Sequence, residues 1–333
     1  MRSQRKRYAG LIAAVALAVL VVPAAAQSPS APAASVAPEP SFETAPYVPI
    51  VSKGFQHQFW QAVKKGAEDE GKVLNVKTNF IGPETEAQVD KQMEMLQAEF
   101  DKNPQAICFA ALDSKAATPL LEQFQAKGIP VIAFDSGVDS DIPVTTVATD
   151  NVAAAALAAD KMAELIGGSG KVGVIIHDQT SRTGIDRGTG FLDEMKNKYP
   201  GIEIIGPQYG AGDQLKSTDL AKAMIQANPD IKGFFGANEG SIIGVLNAVN
   251  ELNMAGKIAV IGYDSGQAQI DAINNGVEAG AITQNPIGIG AKCVLAAAMA
   301  IRGEAVPKSI DTGFMWYDKT NINDPAIQAV LYK

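Results

Sequence analysis

The stretch "GIPVIAFDSG" (residues 128–137) returns as "GKIAVIGYDSG" (residues 256–266), each an apolar run that stops at Asp-Ser-Gly. A second pair precedes it in the same order. "KNPQAICFAALDS" (102–114) stands ahead of the first copy and "ANPDIKGFFGANEG" (227–240) ahead of the second. Both halves run helix end, Asn-Pro, strand, polar tip, helix, strand, Asp-Ser-Gly. Any two α/β units can share one such match, but two in the same order predict two lobes of like design. The echo is only two-fold, which is not a solenoid pattern.

Working outward, more short β-rich runs appear: "YVPIVS" (47–52), "VLNVKTNF" (73–80), "VTTVAT" (144–149), "KVGVII" (171–176), "IEIIG" (202–206) and "AGAITQ" (279–284). Helical patterns lie between them, such as "ETEAQVDKQMEMLQAEF" (84–100) and "STDLAKAMIQAN" (217–228). Strands alternating with helices of this length predict parallel sheets with helices on both faces. The continuous apolar character of the strands fits burial on both faces. The fold class is therefore α/β, with two similar doubly wound parallel-sheet lobes. "GGSGKVG" (167–173) comes before a strand rather than after one, so it reads as a helix-ending turn and not a phosphate loop.

A chain of 333 residues exceeds what one core usually serves. Its net charge is −8, with no basic block outside the extreme N-terminus, which argues against a nucleic-acid partner. Residues 1–26 read as a secretory signal: "RSQRKRY" is the basic region, "AGLIAAVALAVLVV" the apolar core, and cleavage falls after Ala26. The apolar run is shorter than the ~20 residues of a membrane span, and no Cys follows it to carry a lipid. Residues 27–46, rich in Pro, Ala and Ser, read as a linker, with the folded body starting near Tyr47. Cys108 and Cys293 sit in apolar and Ala-rich surroundings and read as buried free thiols. No His/Cys cluster has zinc-ligand spacing, so neither metal nor cofactor is expected.

Ligands of open parallel sheets bind beyond the carboxyl ends of the strands. Standing there are Ser52 and Lys53, then Asp135, then His177, Asp178 and Gln179 with Arg182 following. Asn238 and Glu239, Asp264, and Gln284 with Asn285 complete the set. It is rich in amides and carboxylates and poor in nucleophile–base pairs. Carboxylates accept from vicinal hydroxyls, and amides match a hydroxyl's double character, so the set suits a polyhydroxyl ligand. Each group has a plainer use as a cap for the next helix, though the matched pair Asp135 and Asp264 is harder to explain that way.

The stretch "SKGFQHQFWQAVKKGAEDEG" (52–71) crowds Phe55, His57, Phe59 and Trp60 into a helix start. Val63, Gly66 and Ala67 read as the face that packs on the sheet. Phe59 and Trp60 then stand at the helix mouth, placed to meet the apolar C–H face of a sugar ring, with His57 able to donate to a hydroxyl. Nothing in the sequence sets Asp135 and Asp264 apart as glycosidase acid and base, and "HDQTS" (177–181) does not read as a triad.

Taken together, the signal, the two echoing lobes, the aromatic turn and the ordered polar tips resemble the ribose-binding-protein type. These are periplasmic or cell-surface sugar-binding proteins of ABC importers. The resemblance implies that Phe59 and Trp60 sandwich the sugar and that His57 falls where an Asn usually contacts it. It also implies that Asp135, Asn238, Asp264 and Gln284 are polar ligands. A three-strand hinge would fall near Thr149–Asn151, Gln284–Pro286 and Gly313–Tyr317. The lobes would be 47–149 plus 285–312, and 150–284 plus 313–333.

There are departures from the pattern. Ser136 stands where ribose binders carry Arg after the first Asp. The second-lobe Arg aligns with Ile185, with Arg182 three residues earlier, and "YGAGD" (209–213) replaces an aromatic, leaving Tyr209 as a substitute. These point away from ribose, to a hexose, a ketose or another polyol. The implied protein is a monomer that closes over a sugar or polyol and delivers it to an ABC permease. The rivals are a receptor subunit signalling to a membrane sensor and a carbohydrate-active enzyme. A transcription repressor shares the body, but the N-terminus here reads as a signal and not a helix-turn-helix.

Overall fold

The computed structural model describes residues 41–332. The signal segment 1–26 lies outside them, as does the 27–46 linker up to residue 40. The first half runs β1 (Tyr47–Val51), α1 (Gln58–Leu74), β2 (Lys77–Ile81), α2 (Val89–Asp101), β3 (Ile107–Phe109), α3 (Thr118–Ala126), β4 (Val131–Phe134) and β5 (Thr145–Ala148). Next come α4 (Asn151–Ile166), β6 (Gly170–Ile176), α5 (Arg182–Lys198), β7 (Ile202–Tyr209), α6 (Gln214–Ala227) and β8 (Ile231–Gly236). α7 (Glu239–Glu251), β9 (Ala259–Tyr263), α8 (Gln267–Asn275) and β10 (Gly280–Gln284) continue the second half. α9 (Pro286–Ile301), β11 (Ser309–Asp311), β12 (Phe314–Tyr317) and α10 (Pro325–Gln328) follow.

Two six-stranded sheets result, in the orders β11-β5-β4-β3-β1-β2 and β12-β10-β9-β8-β6-β7. The orders correspond strand for strand. The echoed stretches become β3 with β8 and β4 with β9, at the same places in their sheets. The pairings are parallel, apart from the antiparallel β10–β12 pair. The chain passes between the sheets three times, after β5, after β10 and after β11. Two crossings are tied together where Thr149 Oγ1 donates to Gln284 Oε1 at 2.9 Å.

Side chains alternate across each strand. In β3, Cys108 joins the cluster under α1 and α9, while Ile107 and Phe109 join the one under α2 and α3. In β8, Phe235 packs toward α4 and α5, and Phe234 toward α6 and α7. Val63 and Ala67 of α1 are core, as their spacing predicts, but Gly66 faces α9 instead of the sheet. A Cβ there would stand 2.0 Å from Ile287 O, so only glycine admits the α9 backbone.

Several local readings are corrected. Cys108 and Cys293 form a disulfide across a sequence separation of 185, tying β3 to α9. Apolar surroundings alone could not reveal that pairing, because the two lie on opposite sides of the second lobe in sequence. The run at 73–80 is not strand throughout: α1 continues to Leu74, and Asn75 at φ 53° ends it. Residues 84–88 are loop, with α2 starting only at Val89. Phe42 N donates to Leu74 O at 3.0 Å and Asn75 Nδ2 donates to Phe42 O at 2.7 Å, so the chain is tied to the first lobe ahead of Tyr47. Gly167 and Gly168 end α4 in the left-handed region, as the glycine-rich stretch predicts. Among the described residues no helix is long and apolar enough to cross a membrane.

Candidate functional site

The site grows from the strand ends. Asp135 N donates to Val147 O at 2.8 Å, and Asp264 N donates to Ile282 O at 2.7 Å, so each tip hangs on the next strand of its sheet. Both aspartates have left-handed backbone, at φ 54° and 81°. That conformation costs on the order of 1–3 kcal/mol for a non-glycine residue and concentrates at functional sites. Neither side chain caps the helix that follows. Both line one small cavity between the lobes.

From the first lobe come Lys53, His57, Phe59, Trp60, Glu86 and Asp135. From the second come His177, Thr183, Arg187, Asn238, Asp264 and Gln284. The lobes are shut on each other. Lys53 Nζ donates to Thr183 Oγ1 at 3.0 Å, Gln56 Nε2 to Gly212 O at 3.2 Å, and Ser114 N to Thr180 O at 2.9 Å.

Most residues expected at the site meet there: His57, Phe59, Trp60, Asp135, Asn238, Asp264 and Gln284. Ser52 and Arg182 do not. Ser52 Oγ is buried 3.1 Å from both Gly54 O and Ile81 O, where it fastens the turn after β1. Arg182 lies at the rim, 3.5 Å from Asp139 of the first lobe and paired with Asp186 on its own helix. Asn238 does cap α7, accepting from Ser241 N at 2.9 Å, while also lining the cavity. Asp264 Oδ2 accepts from Glu239 N at 2.9 Å, and its Oδ1 accepts from Gln284 Nε2 at 2.7 Å.

The guanidinium at the site is Arg187. Its Nε donates to Asn151 Oδ1 at 2.8 Å and its Nη1 to Ala237 O at 2.9 Å, and it stacks 3.7 Å from the Tyr263 ring centre. The signal was in the spacing: Thr183, Arg187, Phe191 and Met195 recur every fourth residue and form the buried face of α5. Glu86 escaped notice because "ETEAQ" reads as a helix start, whereas the loop carries it inward. There Glu86 Oε1 accepts from Trp60 Nε1 at 2.8 Å.

The aromatic sandwich needs correction. Phe59 and Trp60 meet edge to face, with centroids 5.0 Å apart and planes at 84°, so they make a corner and leave no parallel slot. Both are also core. Tyr332 packs edge-on against Phe59 at 6.1 Å and supports it from behind. Tyr209 borders a different depression, beside Ile176 and Leu192, and contributes nothing to this cavity.

Electrostatics are set by burial. Burial pushes the Asp135 carboxyl up to about 6, against the pull of Lys53 and Arg187. Burial raises Glu86, but Lys53, helped by the Trp60 N–H, outweighs it and holds the carboxyl at about 2. Burial pushes His177 down to about 3 despite Asp178 at 3.7 Å, so its ring is neutral. The wall is a ring of fixed donors and acceptors beside an aromatic corner. Among the described residues no group of three or more His, Cys, Asp or Glu is arranged to hold a metal ion.

Residues 48–305 match the family model described as "Periplasmic binding protein domain". The D-allose-binding periplasmic protein of Escherichia coli K12 is 30% identical over 259 residues, which cover 75% of this chain and 83% of that protein. An ABC transporter solute-binding protein from Agrobacterium vitis, solved with α-D-tagatopyranose, superposes with a TM-score of 0.82 at 30% identity, covering 86% of this chain and 99% of that one. A carbohydrate-transporter solute-binding protein from Agrobacterium radiobacter, solved with D-arabinose, superposes with a TM-score of 0.83 at 32% identity, covering 87% and 100%.

Proposed function

The chain belongs to the periplasmic binding protein family, and from that premise we propose that it captures one monosaccharide or polyol between its lobes for delivery to an ABC import permease. It is a binding protein and not an enzyme. One observation carries the reading: Trp60 and Phe59, Asp135 of one lobe and Asp264 of the other all line a single cavity.

Binding follows from that placement. The sugar's apolar face meets the aromatic corner, and its hydroxyls reach the carboxylates, Arg187, Asn238 and Gln284. Contacts to the first lobe seat it, and contacts to the second favour the closed arrangement. A buried hydroxyl left without a partner costs about 1–3 kcal/mol, which discriminates between epimers. Binding of order micromolar, about −8 kcal/mol, is the scale expected.

Residues 1–26 serve as the export signal, and the protein works as a monomer whose cleft rim meets the permease. The disulfide between Cys108 and Cys293 suits the oxidising periplasm. Calorimetry against a panel of monosaccharides and polyols tests the reading. The expected result is one-to-one binding of micromolar order, weakened at least about tenfold by Asp264→Asn with the fold intact. No heat with any sugar or polyol contradicts it.

A further inference from the structure

One peptide unit beside the cavity is held at both of its polar groups by tyrosines from the tail of the chain. Asp264 lines the cavity with left-handed backbone, at φ 81°. The peptide that joins it to Ser265 has its carbonyl bonded by Tyr317, whose Oη donates to Asp264 O at 2.9 Å. Its N–H is bonded by Tyr332, where Ser265 N donates to Oη at 3.1 Å. Both bonds are buried. Burial raises both phenols well above their ordinary range, so both keep their protons. A left-handed residue other than glycine persists only where its surroundings hold it. The rotation of this peptide aims the Asp264 side chain, and the two hydroxyls fix that rotation.

The tail divides between the lobes at the same place. Leu331 belongs to the second-lobe core with Ile270, Ile273 and Tyr317. The next residue, Tyr332, is 6% exposed and belongs to the first-lobe core with Phe59 and Trp60. Its ring meets Phe59 edge-on, with centroids 6.1 Å apart. One side chain therefore backs an aromatic ring of the first lobe with its apolar body and holds the backbone of a second-lobe carboxylate with its polar tip. Phenylalanine in its place would leave Ser265 N without this acceptor, and leucine would also leave Phe59 without a ring behind it. Tyr332 does not line the cavity itself, so it acts through Phe59 and Asp264, which do.

Resting on the sugar-binding reading above, we propose that Tyr332 is a positioning residue that aligns the site residues of the two lobes, its ring backing Phe59 in the first and its hydroxyl setting the Asp264 peptide in the second.

Calorimetry on the full protein tests this with D-allose, D-tagatose, D-arabinose and D-ribose, carrying forward whichever the unaltered protein binds tightest. Ligand-observed NMR titration reads the weaker variants. Tyr332→Phe keeps the ring and removes only the hydroxyl. The expected result is binding weakened about three- to tenfold, with the fold intact by circular dichroism. Tyr332→Leu removes the ring as well and weakens binding further, by at least about tenfold. The cycle with Asp264→Asn separates positioning from a merely structural role. Once the carboxylate is replaced, its aim no longer matters, and the further loss from Tyr332→Phe shrinks to less than about twofold. A structural role gives the same loss in both backgrounds.

Tyr332→Phe binding as tightly as the unaltered protein overturns the proposal, and so does an equal loss with and without Asp264→Asn. Both outcomes leave the sugar-binding reading standing. Where Tyr332→Leu fails to fold, Tyr332→Phe and its cycle still decide. Silence of the unaltered protein toward these four sugars and the wider panel overturns the sugar-binding reading, and this role with it.

Discussion

Arg182 and Arg187 lie about 140° apart around the axis of α5, at roughly 100° per residue. That rotation decides which of them meets the ligand. Arg187 shares the buried face with Thr183 and Phe191, and Arg182 is left at the rim. Arg187→Met, which keeps most of the volume, removes charged hydrogen bonds worth about 1.5–3 kcal/mol and weakens sugar binding at least about tenfold. Arg182→Ala loses two partly exposed ion pairs, to Asp139 and Asp186, and changes affinity less than about threefold. Calorimetry on the two variants checks this, and an equal loss in both would contradict the assignment. Asp135 gives the site its pH dependence. Its neighbours in the cavity are Lys53, Arg187, Glu86 and Asp264, and burial sets its carboxyl at about 6. Sugar hydroxyls donating to the carboxylate favour the ionised form and lower that value in the complex. Affinity is then level above about pH 6 and falls as pH drops below it, by no more than about tenfold per unit. Glu86 and His177, at about 2 and 3, titrate outside that window. Binding that strengthens on acidification would contradict this role for Asp135.

Helix α1 starts without a cap of its own, since His57 makes no side-chain bond to its first turn. The cap comes from the facing lobe: Glu239 accepts from Gln58 N at 2.9 Å and from Phe59 N at 3.1 Å. In return Gln58 Oε1 accepts from Gln267 N at 2.8 Å, at the start of α8, whose Gly266 offers no side chain. Both exchanges exist only while the lobes touch, so they stabilise the closed form. Losing a cap costs about 1 kcal/mol. Glu239→Ala therefore weakens sugar binding about fivefold, mainly through faster dissociation. Stopped-flow release of the sugar measures it, and an unchanged off-rate would contradict the latch. The same helix shows what was legible in the sequence. Of the crowd at 55–60, His57, Phe59 and Trp60 line the cavity and Phe55 does not, and the missing cap could be explained only by a residue about 180 positions away. The strand-end rule found Asp135 and Asp264 because position along a strand is local information. It missed Glu86 because a loop at 84–88 that spells good helix formers is shaped by tertiary contacts.

At the scale of the molecule, the internal echo was the most informative part of the sequence, because two lobes of matched strand order follow from it directly. The disulfide was not legible, since pairing depends on α9 returning to the first lobe after the second has been built. That return also places the three crossings side by side, where Thr149 Oγ1 lies 2.9 Å from Gln284 Oε1 and 3.5 Å from Thr312 Oγ1. A crystal structure of the protein with its tightest-binding sugar tests most directly whether both lobes hold the sugar at once. The predicted result is one sugar in the cavity between the lobes, its C–H face against the Phe59–Trp60 corner and its hydroxyls hydrogen-bonded to Asp135 and Asp264 together. A sugar found outside that cavity, or bonded to one lobe only, would contradict it.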